Sequence, residues 1–434
     1  MQIPHGFQNM KASVMKSCKV ILAALVIAFL LIYQAIPSKN AFRPIGMLLN
    51  HNFLRATNVT NSTVAWTDIP DAIFAPILEA YRNRSSNSTG STPVFRNGEI
   101  PKILLFARPF YSVFWGAQLS HIRHDMCPLP CSYTFDIKEV KSVDAVVIYL
   151  RGLDKHNTLR ELYPRDHRQP WIVLSFEAPI RANSFYRADY SPFNGVFNRS
   201  MFYRSDSDVV VPHGFVVKRG RDSDILPKQW HAPPITAVPN NKRKIAVALI
   251  SNCGAPNGRL QYVKEVQKYI PVDIYGKCGP LKCGRSLYVQ DSYNSTQNKC
   301  LMLAGMKYLF YFAFENAHCS DYVTEKLYNV LYYPVVPVVF GGANYSSLLP
   351  PNSYINARKF TPVELASFLH HLSKSPKEYQ KYHEWRQHYH VSLWGGQRSL
   401  CHLCVRLHDP AFYQTNTIQD FQYWFVNQSR CGQI

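Results

Sequence analysis

Residues 307–342, KYLFYFAFENAHCSDYVTEKLYNVLYYPVVPVVFGG, decide how this chain folds. The apolar run 308–314 is long enough for a buried strand and too short for a core helix, and it stops at the polar pair Glu315 and Asn316. Beyond it, Ser320 or Asp321 offers a side-chain oxygen that caps a helix by accepting from amides with no partner in the first turn. In that helix Val323, Leu327, Val330 and Leu331 share one face, and Tyr322, Glu325, Lys326 and Asn329 the other. A β-branched run at 335–340 follows Pro334 and closes at Gly341 and Gly342, so the unit reads strand, helix, strand. Parallel strands joined this way bind ligands beyond their carboxyl ends, where a helix N-terminus offers amides and partial positive charge to an anion. Lys326 falls there, although by itself it reads as a solvated helix lysine.

The same design recurs upstream. A buried strand at 244–251 is followed by Asn252-Cys-Gly-Ala-Pro-Asn-Gly258, then by a helix with Leu260, Val263, Val266 and Ile270 at helical spacing, then by a strand at 272–275. Arg259 opens that helix, and two cations at helix starts can hold a diphosphate between them. Glycines 254 and 258 do not make a GxGxxG fingerprint and no GxxxxGK[ST] loop occurs, which removes support for nicotinamide and ATP readings. No HExxH and no close carboxylate pair marks a metal site.

Further toward the N-terminus, apolar runs at 103–106, 145–150, 171–176 and 209–211 indicate another α/β sheet with covered faces. The run at 171–176 ends in Glu177-Ala-Pro179, a carboxylate at a strand end before a chain-turning proline, which suits a general base or a strand-end acid satisfied by nearby amides. Tyr203-Arg-Ser-Asp206-Ser-Asp208 suits a structural turn or a substrate contact, with structure favoured, and residues 379–389 form an aromatic, basic helical pattern that favours packing over a nucleic-acid surface.

The chain has 434 residues, enough for two domains, and its 47% hydrophobic content excludes wholesale disorder. Its formal charge of +20 is spread without long basic runs, which points to an anionic ligand and away from nucleic acid. Residues 20–36 are apolar apart from Tyr33 and Gln34 and follow Lys11, Lys16 and Lys19, the pattern of a signal anchor with its N-terminus in the cytosol; a cleaved signal peptide is the rival. Eight sequons, at Asn58, Asn61, Asn83, Asn87, Asn198, Asn294, Asn344 and Asn427, can be glycosylated only in a lumenal body. Ten of the eleven cysteines lie beyond the anchor, an even number suited to an oxidising compartment. The pairs Cys278-x4-Cys283 and Cys401-x2-Cys404, with His402 or His408, could instead hold zinc, but a lumenal setting favours disulfides, and Cys127 and Cys131 read as staples.

Taken together these residues resemble the α1,3-fucosyltransferases, Golgi type II enzymes using GDP-fucose. The resemblance rests on Phe312-Ala-Phe-Glu-Asn316, Asp321-Tyr-Val-Thr-Glu-Lys326-Leu, Val335-Val-Pro-Val-Val, Leu349-Pro-Pro-Asn-Ser-Tyr, Ser251-Asn-Cys with Asn257-Gly-Arg259, Ser175-Phe-Glu177-Ala-Pro179, the turn at 203–208 and Cys401-x2-Cys404, spread in order over about residues 100–430. It implies a GT-B fold, two Rossmann-like domains facing a cleft, with inversion at fucose. It implies Glu177 as general base, Arg259 and Lys326 as the diphosphate clamp, Tyr322 and Glu325 as ribose or fucose contacts, and Glu315 and Asn316 as part of the donor site. No metal is required, a divalent ion being at most stimulatory. It further implies Cys253 paired with Cys300, and Cys127 and Cys131 paired with Cys401 and Cys404 in an unassigned order. Of the remainder, Cys278 with Cys283 is the first choice, leaving Cys319 and Cys431. The expected order is a cytoplasmic tail (1–19), signal anchor (20–36), stem (37–98), acceptor domain (99–240), GDP-fucose domain (241–400) and a disulfide-linked segment (401–434). The Cys278-x4-Cys283 spacing leans toward the invertebrate and plant subset acting on the innermost N-glycan GlcNAc. Alternatives are Lewis-type or GalNAc-GlcNAc antenna transfer, a lumenal glycan-binding protein without catalysis, and a zinc-stabilised membrane adaptor. Tyr332-Tyr333-Pro334 departs from the small residue or glycine often found there in the family.

Overall fold

Runs of apolar residues become strands here because both of their faces are covered. The computed structural model of the chain describes residues 100–106, 127–153, 159, 162–182, 188–220, 244–283, 299–393, 396–414 and 416–432. Strands β1 (Lys102–Phe106), β2 (Ser132–Thr134), β3 (Ala145–Tyr149), β4 (Trp171–Ser175), β5 (Arg199–Phe202) and β6 (Val209–Val210) form one sheet in the order β2-β1-β3-β4-β5-β6, and α1 (Pro179–Ala182) follows β4. All of its pairings are parallel. Along β4 the two-residue period sends Trp171 and Val173 into one buried cluster and Ile172 and Leu174 into another.

After β7 (Gly214–Lys218) comes a second parallel sheet. Strands β8 (Lys244–Leu249), β9 (Val272–Tyr275), β10 (Tyr308–Phe314), β11 (Val336–Phe340) and β12 (Ile355–Asn356) lie in the order β12-β11-β10-β8-β9. Phe310, Phe312 and Phe314 of β10 share a core with α2 (Arg259–Gln267), while Tyr311 and Ala313 face the opposite core. The α3 helix (Lys299–Lys307) leads into β10, and α4 (Glu325–Leu331) joins β10 to β11, so the opening stretch does fold as strand, helix, strand. Of the later elements, α5 (Pro362–Lys374) covers the phenylalanine face, α6 (Pro376–Lys381) contributes Tyr379, and β13 (Tyr389–Leu393) pairs antiparallel with β7. The helical pattern at 379–389 therefore ends early, in a short 3-10 turn at Glu384–Gln387 before the strand.

Two crossings depart from a cut near residue 240. Val216 of β7 is buried with Tyr311 and Val339, so β7 packs with the second sheet. Conversely α7 (Gly396–Leu407) places Leu400, Leu403 and Leu407 against Ile172 and Leu174, and Phe421 and Phe425 cover the other face of the first sheet with Trp171. Buried arginines secure this return: Arg199 donates to the carbonyls of Phe412 and Gln414 (3.1 and 2.6 Å), and Arg204 to that of Trp424 (2.6 Å). The 203–208 segment is thus structural in its arginine and in Asp206, which pairs with Arg204.

Disulfides join Cys127 to Cys401 and Cys131 to Cys404, fastening α7 to the loop before β2. The remaining pairs correct the sequence reading. Cys253 bonds Cys278 and Cys283 bonds Cys300, so neither Cys253–Cys300 nor Cys278–Cys283 forms, and Cys319 bonds Cys431. The turn after β9 lays Cys278 beside the end of β8, its amide on the Ile250 carbonyl, which puts it in reach of Cys253. Asn198 is likewise closed to a glycan in the folded chain: it is 6% exposed, and its Oδ1 accepts from the Trp171 amide at 2.9 Å and from Arg165. Asn344 and Asn427 are exposed. The tail, anchor and stem, with Asn58, Asn61, Asn83, Asn87 and Asn294, lie outside the described residues, and no described helix is long and apolar enough to cross a membrane.

Candidate active site

The carboxyl ends of β4, β8 and β10 deliver the candidate residues, as the strand-end rule for parallel sheets requires. At the end of β10, Glu315 is 1% exposed and does not face outward. Its carboxylate accepts from the Thr324 amide at 2.8 Å, lies 2.9 and 3.0 Å from the Thr324 hydroxyl, and meets Lys326 Nζ at 3.3 Å. Thr324, and neither Ser320 nor Asp321, is therefore the cap of α4. Asp321 is unavailable because its carboxylate accepts from the amide and hydroxyl of Ser205 (3.2 and 2.9 Å), with its backbone left-handed at φ 58°. Glu315 thus builds the site from behind, by setting the helix start that carries Glu325 and Lys326.

Lys326 sits in the first turn, donating to Thr324 Oγ1 at 2.7 Å and paired with Glu325 at 3.1 Å. Burial works against its charge, but Glu315, Glu325 and Glu177 outweigh it and hold the ammonium above the ordinary lysine value. Burial also opposes ionisation of Glu325, whose carboxyl is nonetheless held at about 2, chiefly by Lys326 and His213.

Arg259 differs in its partners. It is 4% exposed and opens α2 behind Gly258, whose φ of 68° suits a residue without a Cβ. Its guanidinium donates to the carbonyls of Phe314 (2.8 Å) and Asn252 (3.4 Å), and its buried Nε has no partner. Burial pushes its pKa down and Glu315 pushes it back up. Among the described residues no carboxylate lies within ion-pair distance of it, so its direct partners are carbonyl dipoles while Glu315 acts on its charge from further away. A buried cation so placed favours an anion beside it. Asn316 stands next to this carbonyl cluster with its Oδ1 buried and unpartnered.

Glu177 comes from the other sheet. Its side chain is 29% exposed and one oxygen lies 3.4 Å from Arg151 Nη1. The other accepts from the Tyr322 hydroxyl at 3.0 Å. Tyr322 is 1% exposed and packs against Tyr203, with ring centroids 4.9 Å apart. Burial, then Glu177, raises its pKa well above the ordinary phenol value, so the hydroxyl stays protonated and donates. Tyr322 therefore serves the carboxylate from the first sheet, a use the helical-face reading misses because Tyr322 precedes α4.

His213, between β6 and β7, is absent from the sequence reading. Its Nε2 lies 3.0 Å from the Phe176 carbonyl and its Nδ1 3.3 Å from Glu325. Val211-Pro212-His213-Gly214 follows a buried apolar run, so the strand-end rule that singles out Glu177 would also have found it.

Among the described residues no group of three or more metal-ligating side chains occurs. His402 lies beneath β6 with Nδ1 on the Val210 carbonyl, and His408 holds the Pro130 carbonyl, so with Cys401 and Cys404 in disulfides the zinc alternative has no ligands.

Comparison with known proteins gives a family. Residues 99–214 match the model described as fucosyltransferase, N-terminal, and residues 239–424 match glycosyltransferase family 10 (fucosyltransferase), C-terminal. The chain is 38% identical to alpha-(1,3)-fucosyltransferase C of Drosophila melanogaster over 61% of this chain, and it spans only 61% of that relative's length. It is 31% identical to 4-galactosyl-N-acetylglucosaminide 3-alpha-L-fucosyltransferase FUT6 of Homo sapiens over 81% of this chain and 89% of the relative. A crystal structure of an alpha1,3-fucosyltransferase with GDP aligns with TM-score 0.44 at 15% identity, covering 79% of this chain and 99% of that one.

Proposed function

We propose that this chain, which belongs to glycosyltransferase family 10, the fucosyltransferases, transfers L-fucose from GDP-fucose in α1,3 linkage to GlcNAc of glycoprotein glycans, with inversion at the sugar carbon. One observation carries the reading: a partly exposed carboxylate, Glu177, is hydrogen-bonded by Tyr322 only four residues from Lys326, which shares a site with the buried Arg259. A base and an anion site on separate sheets are what a single displacement needs. Glu177 takes the proton of the attacking acceptor hydroxyl. Arg259, Lys326 and the amides at the starts of α2 and α4 stabilise the charge that grows on the leaving diphosphate. Lys326 meets GDP-fucose by exchanging part of its contact with Glu325 for phosphate. Asn316, with an unpartnered buried oxygen, supplies an acceptor for a donor hydroxyl or amine, and Glu325 reaches the fucose. A divalent metal is not required.

The finer architecture belongs to the same reading: a GT-B arrangement of two Rossmann-like domains, a single-pass type II anchor over 20–36, a stem, and a catalytic body in the Golgi lumen. The acceptor is the innermost GlcNAc of N-glycans, following the Cys278-x4-Cys283 spacing. A human relative named for 4-galactosyl-N-acetylglucosaminide supports antenna transfer as the second reading. The deciding experiment is fucosylation of a glycan array from GDP-fucose, comparing core N-glycans with N-acetyllactosamine and GalNAc-GlcNAc acceptors. Transfer confined to antennae would replace the core reading. GDP binding with no transfer to any of them would leave a glycan-binding protein instead.

A further inference from the structure

His213 is held by one partner from each half of the site. Its ring packs edge-on to Phe176 at 6.3 Å, its Nε2 faces the Phe176 carbonyl at 3.0 Å, and its Nδ1 faces Glu325 Oε2 at 3.3 Å. A carbonyl oxygen only accepts, so Nε2 must donate to it. A carboxylate also only accepts, so Nδ1 attracts Glu325 only when it too carries hydrogen. The next residue explains how the chain brings the ring there: a Cβ on Gly214 would lie 2.5 Å from Tyr328 Cγ, so only glycine lets this backbone press onto α4.

We propose that His213 is a positioning residue, joining the turn that carries the base to the helix that carries the donor contacts. The inference rests on the fucosyl-transfer reading above. Phe176 is the immediate neighbour of Glu177, and Glu325 that of Lys326. Glu325 is gripped at both oxygens, Oε2 by His213 and Oε1 by Lys326. His213 therefore fixes the rotation of this carboxylate beside Lys326. Without it, the two halves of the site keep the Tyr322–Glu177 bond, but Glu325 turns to Lys326 alone.

The test is a double-mutant cycle on the full chain, with His213→Phe, Glu325→Gln and the pair together. His213→Phe keeps a ring against Phe176 and deletes both ring nitrogens, so packing alone predicts little change. The proposal expects kcat for fucosyl transfer to fall about tenfold or more, the size of a lost polar contact to a charged group, with GDP affinity kept within about twofold. It also expects the double variant to be no slower than Glu325→Gln alone, and His213→Gln, which restores a donor, to recover part of the rate. Wild-type kinetics in His213→Phe, or losses that simply multiply in the double variant, would overturn it. Should His213→Phe not fold, His213→Gln in the same cycle with Glu325→Gln carries the criterion. A wild-type chain that binds GDP without transferring fucose defeats the functional reading itself, whereas a transferring wild type matched by its His213 variants defeats only this inference.

Discussion

Replacing Tyr322 with phenylalanine separates the two uses that its position allows. The hydroxyl donates to Glu177 at 3.0 Å from a side chain that is 1% exposed, and the ring is held in an aromatic contact with Tyr203 that phenylalanine preserves. The substitution removes one oxygen and little packing. A hydrogen bond to a charged acceptor contributes about 1.5–3 kcal/mol. Glu177 retains Arg151 and is 29% exposed, so water can take the vacated lone pair and the lower end of that range applies. About 1.5 kcal/mol corresponds to roughly a tenfold fall in kcat. GDP affinity, measured by calorimetry, should stay within about twofold, because this hydroxyl is engaged with the carboxylate. If Tyr322 instead contacted ribose or fucose, donor KM would rise with kcat nearly intact. That pattern would refute the assignment of Tyr322 to the base.

Glu177→Gln should abolish transfer and leave GDP binding nearly unchanged, and transfer at the wild-type rate would remove Glu177 as the base. Arg259→Ala and Lys326→Ala should each weaken GDP binding by about tenfold or more, as expected for charge-assisted contacts; a change confined to acceptor KM would contradict the clamp. Gly214→Ala should cost about 1–3 kcal/mol, because its Cβ would sit 2.5 Å from Tyr328 Cγ, and an unchanged thermal midpoint would contradict that contact. Acid should unfold the chain through two buried histidines. Burial, joined by Arg358, brings His318 down to about 4 from 6.5, and burial brings His402 to about 4 despite its Val210 carbonyl. A depressed histidine favours the neutral folded form, so the stabilisation is full above pH 6.5 and is lost as pH falls toward 4. A thermal midpoint that stays flat across that window would refute the burial assigned to them.

What could be read from the sequence was local. The run at 308–314 is apolar throughout and that at 171–176 at every position but Ser175 because both faces of each strand are covered, and that continuity marks buried parallel strands without further information. The cap of α4 could not be read, since Ser320, Asp321 and Thr324 all carry a suitable oxygen. Glu315 decides for Thr324 and Ser205 removes Asp321, and these contacts span 9 and 116 residues. Disulfide partners were hidden for the same reason, because Cys278 meets Cys253 only once β9 lies beside β8. Arg259 and Lys326 look alike in sequence, yet one is left with carbonyls and the other is flanked by two carboxylates. Only the packed structure separates a buried cation open to an anion from one already paired.

The two crossings of the chain bear on how such enzymes can be recombined. A chimera cut once, in the segment 221–243, would strand β7 on the wrong parent, with Val216 facing a foreign core and Gly214 a foreign Tyr328. It would also take away the helix at Gly396–Leu407 and the aromatic cover of Phe421 and Phe425, leaving Ile172, Leu174 and Trp171 to pack against a surface evolved elsewhere. The half that carries Glu177 is therefore inherited as two separated stretches, one ending near His213 and one resuming at α7. Whatever that half contributes becomes portable between relatives only when both stretches travel together.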